Sequence, residues 1–427
     1  MSTYYDATIG AARQRFAPLE GRAEADTVII GGGFAGLATA LSLAERGRHD
    51  CLLLEARSIG YGASGRNGGF VSGGFSLDAA ALHRQLGDEA SRRLYQQSED
   101  AVELIRHRIA RYRIDCEPVD GGVIVASWFD DDATMRELQR LMHERFGRQW
   151  HWLARDALRE LLRTPRYHAG LHEHEAFHFN PLKYAQGEAQ ALHAAGARLH
   201  EGSPARRVIR DGAGWRVRTD GGEVRAREVV VCAGGYIDGF CRPLARATLP
   251  IATYVMATEP LGARLRDAIR TDAAVFDTRF AFDYYRPLPD TRLLWGGRMS
   301  IRERAAPAIA RLLQADMVRV FPQLRDARVT HAWSGLMSYS RHQMPLIGRL
   351  PDGVWHAIGF GGHGVAPTTF GGEVLARAIT GEAPIPDALR RYRRAPTFGA
   401  LGLLAAQCSY WGLQARDAWM GWRDAGG

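Results

Sequence analysis

DTVIIGGGFAG, residues 26–36, is the stretch on which the fold turns. Thr27 to Ile30 is a short β-branched run of the kind that forms a buried parallel strand. Gly31, Gly33 and Gly36 follow as GxGxxG. Behind them Phe34, Leu37, Ala38, Leu41 and Ala44 recur at helical spacing, and Gly47 is placed to end that helix. Cys51 to Leu54 reads as a second buried strand, with Glu55 at its end. Strand, glycine turn, helix, strand and acid make a βαβ unit for a dinucleotide. Gly31 serves the tight turn, Gly33 the close approach of backbone to a pyrophosphate, and Gly36 the packing of helix on strand. The helix start offers free N–H groups to phosphate. A carboxylate at Glu55 suits ribose hydroxyls and disfavours a 2′-phosphate, which argues against NADP.

Working outward, residues 60–69 read GYGASGRNGG. A nicotinamide fold usually runs straight into its next helix here. A long Gly/Ser/Asn loop instead suits backbone wrapping a larger group such as an isoalloxazine. The bland alternative is a surface loop. Arg66 and Asn67 lie inside the glycines rather than outside them, which favours the first reading.

The 427 residues, 46% apolar and 24% charged, suffice for two or three folded domains and exclude a disordered chain. No apolar run reaches the ~18 residues of a membrane span. Residues 1–9 have neither a basic start nor an apolar stretch, so no leader is expected. The formal charge is +8, but the arginines are spread along the chain, often beside acids, which speaks against a nucleic-acid surface. Five cysteines, widely spaced and without a CxxC, fit reduced thiols in the cytoplasm and no zinc site.

Helices are expected over most of 78–114, over 132–146, 156–162, 181–195, 307–321 and 365–380. A meander of short strands is expected at 197–224, an apolar strand at 228–232, and longer half-buried strands at 251–258, 281–287, 292–297 and 328–333. The pattern predicts an α/β protein. Its Rossmann-like domain of the glutathione-reductase kind comprises 1–80, 150–235 and 336–427. A second, α+β substrate domain on an antiparallel sheet comprises 81–149 and 236–335.

With these residues in view, the sequence resembles the D-amino-acid-oxidase-like FAD oxidoreductases, and within them the γ-glutamylputrescine oxidase type. The likeness rests on residues 26–36 with Glu55, GASGRNGG at 62–69, VVVCAGGY at 229–236, PLIG at 345–348 and GFGGHGVAPTT at 359–369, with Pro18 to Gly21 ahead of the first strand. The resemblance implies non-covalent FAD. Gly31, Gly33, Phe34, Ala35, Gly36, Glu55, Ala56 and Arg57 would hold its adenine half. Val208 would meet adenine through backbone, and Ala233 and Gly234 would line the pyrophosphate. Gly62, Ala63, Ser64, Gly65, Arg66, Asn67, Gly68 and Gly69 would lie against the flavin. Gly361, Gly362, His363, Gly364 and Val365 would lie near its pyrimidine end. The implied reaction is oxidation of a C–N bond in a small amine or amino acid, with O2 or another acceptor taking the electrons.

Some relatives activate O2 with a lysine and bind flavin through a cysteine. Here the only lysine, Lys183, opens a helix, and no cysteine precedes Pro345 in the C-terminal segment. O2 use could fall to His363, His342 or an arginine. The alternatives are a dehydrogenase with another acceptor and a flavin-binding protein without turnover. Tyr285 and Arg298 join His363 and His342 as catalytic candidates. Arg286 and Arg298 have the fork to bind a carboxylate. Tyr254, Trp295, Trp333 and Tyr339 are further aromatics on the strands expected to roof the flavin. His172, His174 and His178 suit a strand better than a metal site. The Trp-rich 409–422 reads as a helix packed on the cofactor domain, with a peripheral anchor as the alternative.

Overall fold

A computed structural model describes residues 3–9 and 13–425. Met1 and Ser2, which open the stretch read above for a leader, lie outside the described residues. Among the described residues, strands gather into two eight-stranded sheets and a two-stranded ribbon.

The first sheet runs in the order Leu346–Arg349, Trp355–Ile358, Gly222–Val231, Gly21–Ile30, Cys51–Leu54, Arg198–His200. Gly21–Ile30 pairs parallel with both neighbours. Val28 to Ile30 and Leu52 to Leu54 are buried, as central parallel strands must be. The first strand starts at Gly21, earlier than Thr27. Its polar leading half pairs with Gly222 to Ala226, which the meander Arg207–Asp211 and Gly214–Arg218 extends. Every residue of the helix Phe34–Ala44 is buried. It packs against Val365–Thr380 and Pro181–Ala194. A Cβ on Gly372 would sit 2.6 Å from Thr39 N, so glycine there lets the helix backbones close up.

The second sheet runs Val329–Ser340, Thr248–Thr258, Leu293–Ser300, Asp283–Pro287, Ala274–Asp277, Val123–Ala126, Gly170–Glu173, His151–Leu153. It is antiparallel except where Ala274–Asp277 meets Val123–Ala126. Alternation along its strands sets two faces. Tyr254, Met256, Tyr285, Leu293 and Trp295 join the core beneath the helix Ala306–Val320. Val255, Ala257, Leu294 and Trp333 turn the other way and pack with Tyr4, Tyr5 and Leu182.

Sheet membership differs from the expected division of the chain. His151–Leu153 and Gly170–Glu173, expected with the first domain, hydrogen-bond in the second sheet. The helix Asp88–Arg111, expected with the second, buries Leu94, Val102 and Ile105 in the core of the first. A strand pairs with whichever edge its backbone meets, and local periodicity does not encode that partner. The helix Tyr4–Ile9 was not anticipated. The C-terminal helix Gly399–Ala425 packs on the second sheet and not on the cofactor domain, because Tyr410, Gln407 and Asp417 bond backbone N–H groups of Met299, Ile301 and Phe280. His172 lies on a strand, His174 in a turn and His178 in the ribbon with Phe70–Val71. Among the described residues no cluster of three ligating side chains suits a metal.

Candidate active site

The glycine turn is built around backbone contact. Gly31 has φ +115°, and a Cβ there would stand 2.6 Å from Cys232 O, at the end of the neighbouring strand. A Cβ on Gly36 would run into Gly31 O, and one on Gly33 would come within 2.8 Å of Ser64 Oγ. That hydroxyl accepts from Phe34 N–H (2.9 Å), one of the first-turn donors a helix cannot satisfy internally. Glu55 accepts from the N–H groups of Gly32 (2.7 Å) and Arg57 (2.8 Å). Burial raises its pKa against the pull of those two donors. Ala233 and Gly234 follow Cys232 directly, so the turn, Glu55, Ser64 and the 232–234 corner converge. A cavity of about 500 Å³ opens at Arg57 and Ser58, two and three residues past Glu55, and is lined also by Arg13, Phe16 and Glu201.

Residues 62–69 fold as a short 3₁₀ turn, Ala63–Gly65, closed by Asn67. The Asn67 amide donates to Ala63 O (3.0 Å) and Ser64 O (2.8 Å), and its oxygen accepts from Gly69 N–H (2.7 Å). The second sheet braces this loop from the far side. Arg286 donates to Gly68 O (2.6 Å) and Phe179 O (2.7 Å), Trp333 Nε1 to Arg66 O (2.9 Å), and Arg66 returns a bond to Ser334 O (2.9 Å). Tyr5 Oη donates to Asn67 O (2.8 Å). His178 beside Arg286 is driven down to about 3, by burial first and then by the guanidinium charge, so it stays neutral.

A third piece closes the junction. Gly361 has φ +67°, and a Cβ on it would strike Ser76 Oγ and the Tyr339 ring. His363 N–H donates to Ser76 Oγ (2.9 Å), and Nε2 lies 3.2 Å from Ser72 O. That carbonyl can only accept, so the nitrogen donates. Burial lowers the His363 pKa, leaving a neutral ring that ties the 72–76 segment to the glycines. Gly364 then caps the helix Val365–Thr380 with no side-chain bond. Tyr339, from the second sheet, brings its hydroxyl beside Gly362 and the Ser76 side chain and points it at Met299 Sδ (3.9 Å).

Several expected site residues lie elsewhere. Tyr285 stacks on Trp295 (4.5 Å) in the core and meets Tyr167 Oη at 3.3 Å. Its neighbour Tyr284 takes the opposite face and packs on Phe70 next to Gly68. Arg298 is held bidentately by Asp316 (2.6 and 2.7 Å) and has no free fork for a carboxylate. His342 Nδ1 accepts from Met344 N–H (3.2 Å), and its ring rests by Tyr392, so it shapes its own turn. Val208, expected to meet adenine through backbone, stands on the strand Arg207–Asp211 and pairs with Val217. Ser203 N–H donates to Glu55 O (2.8 Å). Arg286, Tyr5 and Tyr284 were missed as loop contacts. Residue parity along Asp283–Pro287 was the available signal for Tyr284 and Arg286.

The donors and crowded glycines fit a dinucleotide. A Cβ would fill the space at Gly31, Gly33 and Gly36, and helix-start N–H groups and a strand-end carboxylate stand around it. A family model described as "DAO: FAD dependent oxidoreductase" matches residues 26–378. The chain belongs to this DAO family. Along 97% of its length this DAO-family chain is 34% identical to 98% of the gamma-glutamylputrescine oxidoreductase of Escherichia coli (strain K12). Among solved structures, glycine oxidase from Geobacillus kaustophilus matches with a TM-score of 0.74 at 21% identity, covering 87% of this chain and 99% of that one. L-proline dehydrogenase from P. horikoshii matches at 0.72 and 19%, covering 88% and 98%. These two likenesses bear on the fold. The protein is an FAD-dependent oxidoreductase, and residues 31–36, 55–57, 62–69, 233–234 and 361–365 are its candidate cofactor contacts.

Proposed function

We propose that this DAO-family enzyme oxidises the C–N bond of a small amine or N-substituted amino acid, with a γ-glutamylated amine as first substrate. FAD, when bound, supplies the acceptor for hydride from the carbon beside nitrogen and hands the electrons on to O2 or another acceptor. The chain's own residues orient and exclude. Tyr339 carries the reading. Its O–H is aimed at a thioether, a weak acceptor, where a substrate carboxylate would accept far better. Burial raises that phenol to about 12, so it remains a donor at neutral pH. The neutral His363 ring donates through Nε2 to Ser72 O and so positions the 72–76 segment against the glycines. The imine product is then hydrolysed in water. The full-length likeness to the Escherichia coli relative points to γ-glutamylated amines within this class. The four buried cysteines, with Cys232 raised to about 12 by burial, favour FAD held without a thiolate bond. The cytoplasm is the proposed compartment.

A second reading concerns the acceptor. The only lysine, Lys183, is paired with Glu117 (2.6 Å) on the first turn of Pro181–Ala194. With no lysine left to activate O2, transfer to a different acceptor gains support. One experiment separates these. FAD-loaded protein is mixed without air with γ-glutamylputrescine, glycine, sarcosine and proline in turn. Loss of the yellow absorbance with one of them supports turnover, and its return with air, with H2O2 formed, supports the oxidase. A colour that persists with every amine would overturn the proposal.

A further inference from the structure

The helix Gly399–Ala425 turns its polar side inward. Gln407, Tyr410 and Asp417 are buried and bond backbone N–H groups of the second sheet and the 280 loop. Its outer side carries an apolar stripe, with Ser409 and Arg416 exposed along one edge. Leu401, Leu404, Trp411 and Trp422 are 74%, 54%, 59% and 75% exposed. Their positions, with Cys408 between, follow spacings of three, four, three and eleven residues, which fall on one stripe of a helix. Contiguous exposed apolar surface of this kind marks an interaction site. Directly upstream, Arg390, Arg391, Arg393 and Arg394 are all exposed. Asp387 is the only acid among residues 387–394, and it reaches Arg390 alone, at 3.5 Å.

We propose that this helix docks the enzyme on an anionic lipid bilayer. The apolar stripe lies in the plane of the surface, with Leu401, Leu404, Trp411 and Trp422 at the headgroup–acyl boundary and the arginines among the phosphates. Tryptophan is the residue suited to that boundary, where one edge is wet and the other apolar. No helix among the described residues is long and apolar enough to cross a membrane, so the contact is in-plane. Charge decides between a bilayer and a second copy of the chain. A second copy carries +8 and the same arginines to the contact, whereas an anionic surface complements them.

The test uses full-length FAD-loaded protein and vesicles of phosphatidylcholine, with or without a minor share of phosphatidylglycerol. The protein is expected to co-sediment with the anionic vesicles and to stay in solution with the neutral ones, and added salt should release it. At about five-fold per arginine, the triple substitution Arg391→Gln, Arg393→Gln and Arg394→Gln should weaken binding roughly 100-fold. Leu401→Ser with Trp411→Ser should abolish it and remove the blue shift of tryptophan emission. Both variants should keep wild-type flavin content and melting temperature, since none of these side chains is buried. Absence of wild-type binding would overturn the proposal, as would binding indifferent to the apolar substitutions. So would a dimer in sedimentation that Trp411→Ser dissociates while vesicles bind nothing, which would assign the face to a second copy.

Discussion

Arg286, on a strand of the second sheet, donates through Nε to the carbonyl oxygen of Gly68 (2.6 Å) in the glycine loop of the first. The same guanidinium bonds Phe179 O, and the side chain is 2% exposed. One buried cation thus fixes two carbonyls at the junction of the sheets. The loop expected to meet the flavin is held from behind by the domain expected to hold the substrate.

Arg286→Met should therefore lower FAD content as well as stability. Both carbonyls would be left without a donor in a dry site, at a cost of roughly 1–3 kcal/mol each. Flavin absorbance per protein and the melting temperature should fall together. A variant with full flavin content and an unchanged melting temperature would show that the brace is dispensable.

Gly36→Ala and Gly47→Ala separate crowding from backbone strain. A Cβ at Gly36 runs into Gly31 O, so the turn must open and FAD retention should be lost. Gly47 has φ +77° with nothing within 4 Å of a Cβ. Its alanine variant should cost only about 1 kcal/mol and keep its flavin. Flavin-to-protein ratios after gel filtration distinguish the two.

Much of the cofactor half was legible because its signals are local. Residues 26–55 carry strand, turn, helix and acid in one short span, and Asn67 lies inside the loop it closes. Contacts across the junction were not legible. Arg286 and Gly68 are far apart in sequence, and nothing near either names the other. Arg298 looked available as a free fork in an arginine-rich chain, yet Asp316 on the covering helix takes it. Tyr285, expected at the site, stacks on Trp295 on one face of its strand, and Tyr284 on the other face packs beside the loop. A strand period fixes that the two face opposite ways, but not which face meets the loop.

Tyr285→Phe should accordingly leave turnover unchanged. It removes one hydroxyl that meets Tyr167 Oη at 3.3 Å, worth about 1 kcal/mol, and keeps the stack on Trp295. A loss of kcat at unaltered flavin content would return Tyr285 to the site.

Glu173 should make stability fall with rising pH. Burial, and then the charge of Glu99, raise its carboxyl from an ordinary 4.5 to about 8. Between those values the folded state holds a proton that the unfolded state has released, so the stability it contributes is full below the lower value and is lost as pH climbs through the upper. Glu173→Gln removes that slope. Thermal unfolding across this range should find the variant gaining steadily on the wild type toward pH 8, by on the order of 1 kcal/mol per pH unit. Parallel curves would sink the assignment.

Tyr339→Phe tests the substrate side. The substitution keeps the ring beside Gly361 and removes only the hydroxyl that faces Met299 Sδ. If that O–H binds a substrate carboxylate in ground and transition states alike, KM should rise about ten-fold with kcat little changed. Flavin content should fall little, since Gly362 loses only the phenol oxygen beside it while Gly361, His363 and the helix start keep their other contacts. An amine without a carboxylate should be oxidised equally well by both proteins. Equal KM values for a carboxylated substrate would remove Tyr339 from the binding site, and a fall in kcat alone would move it into the chemical step.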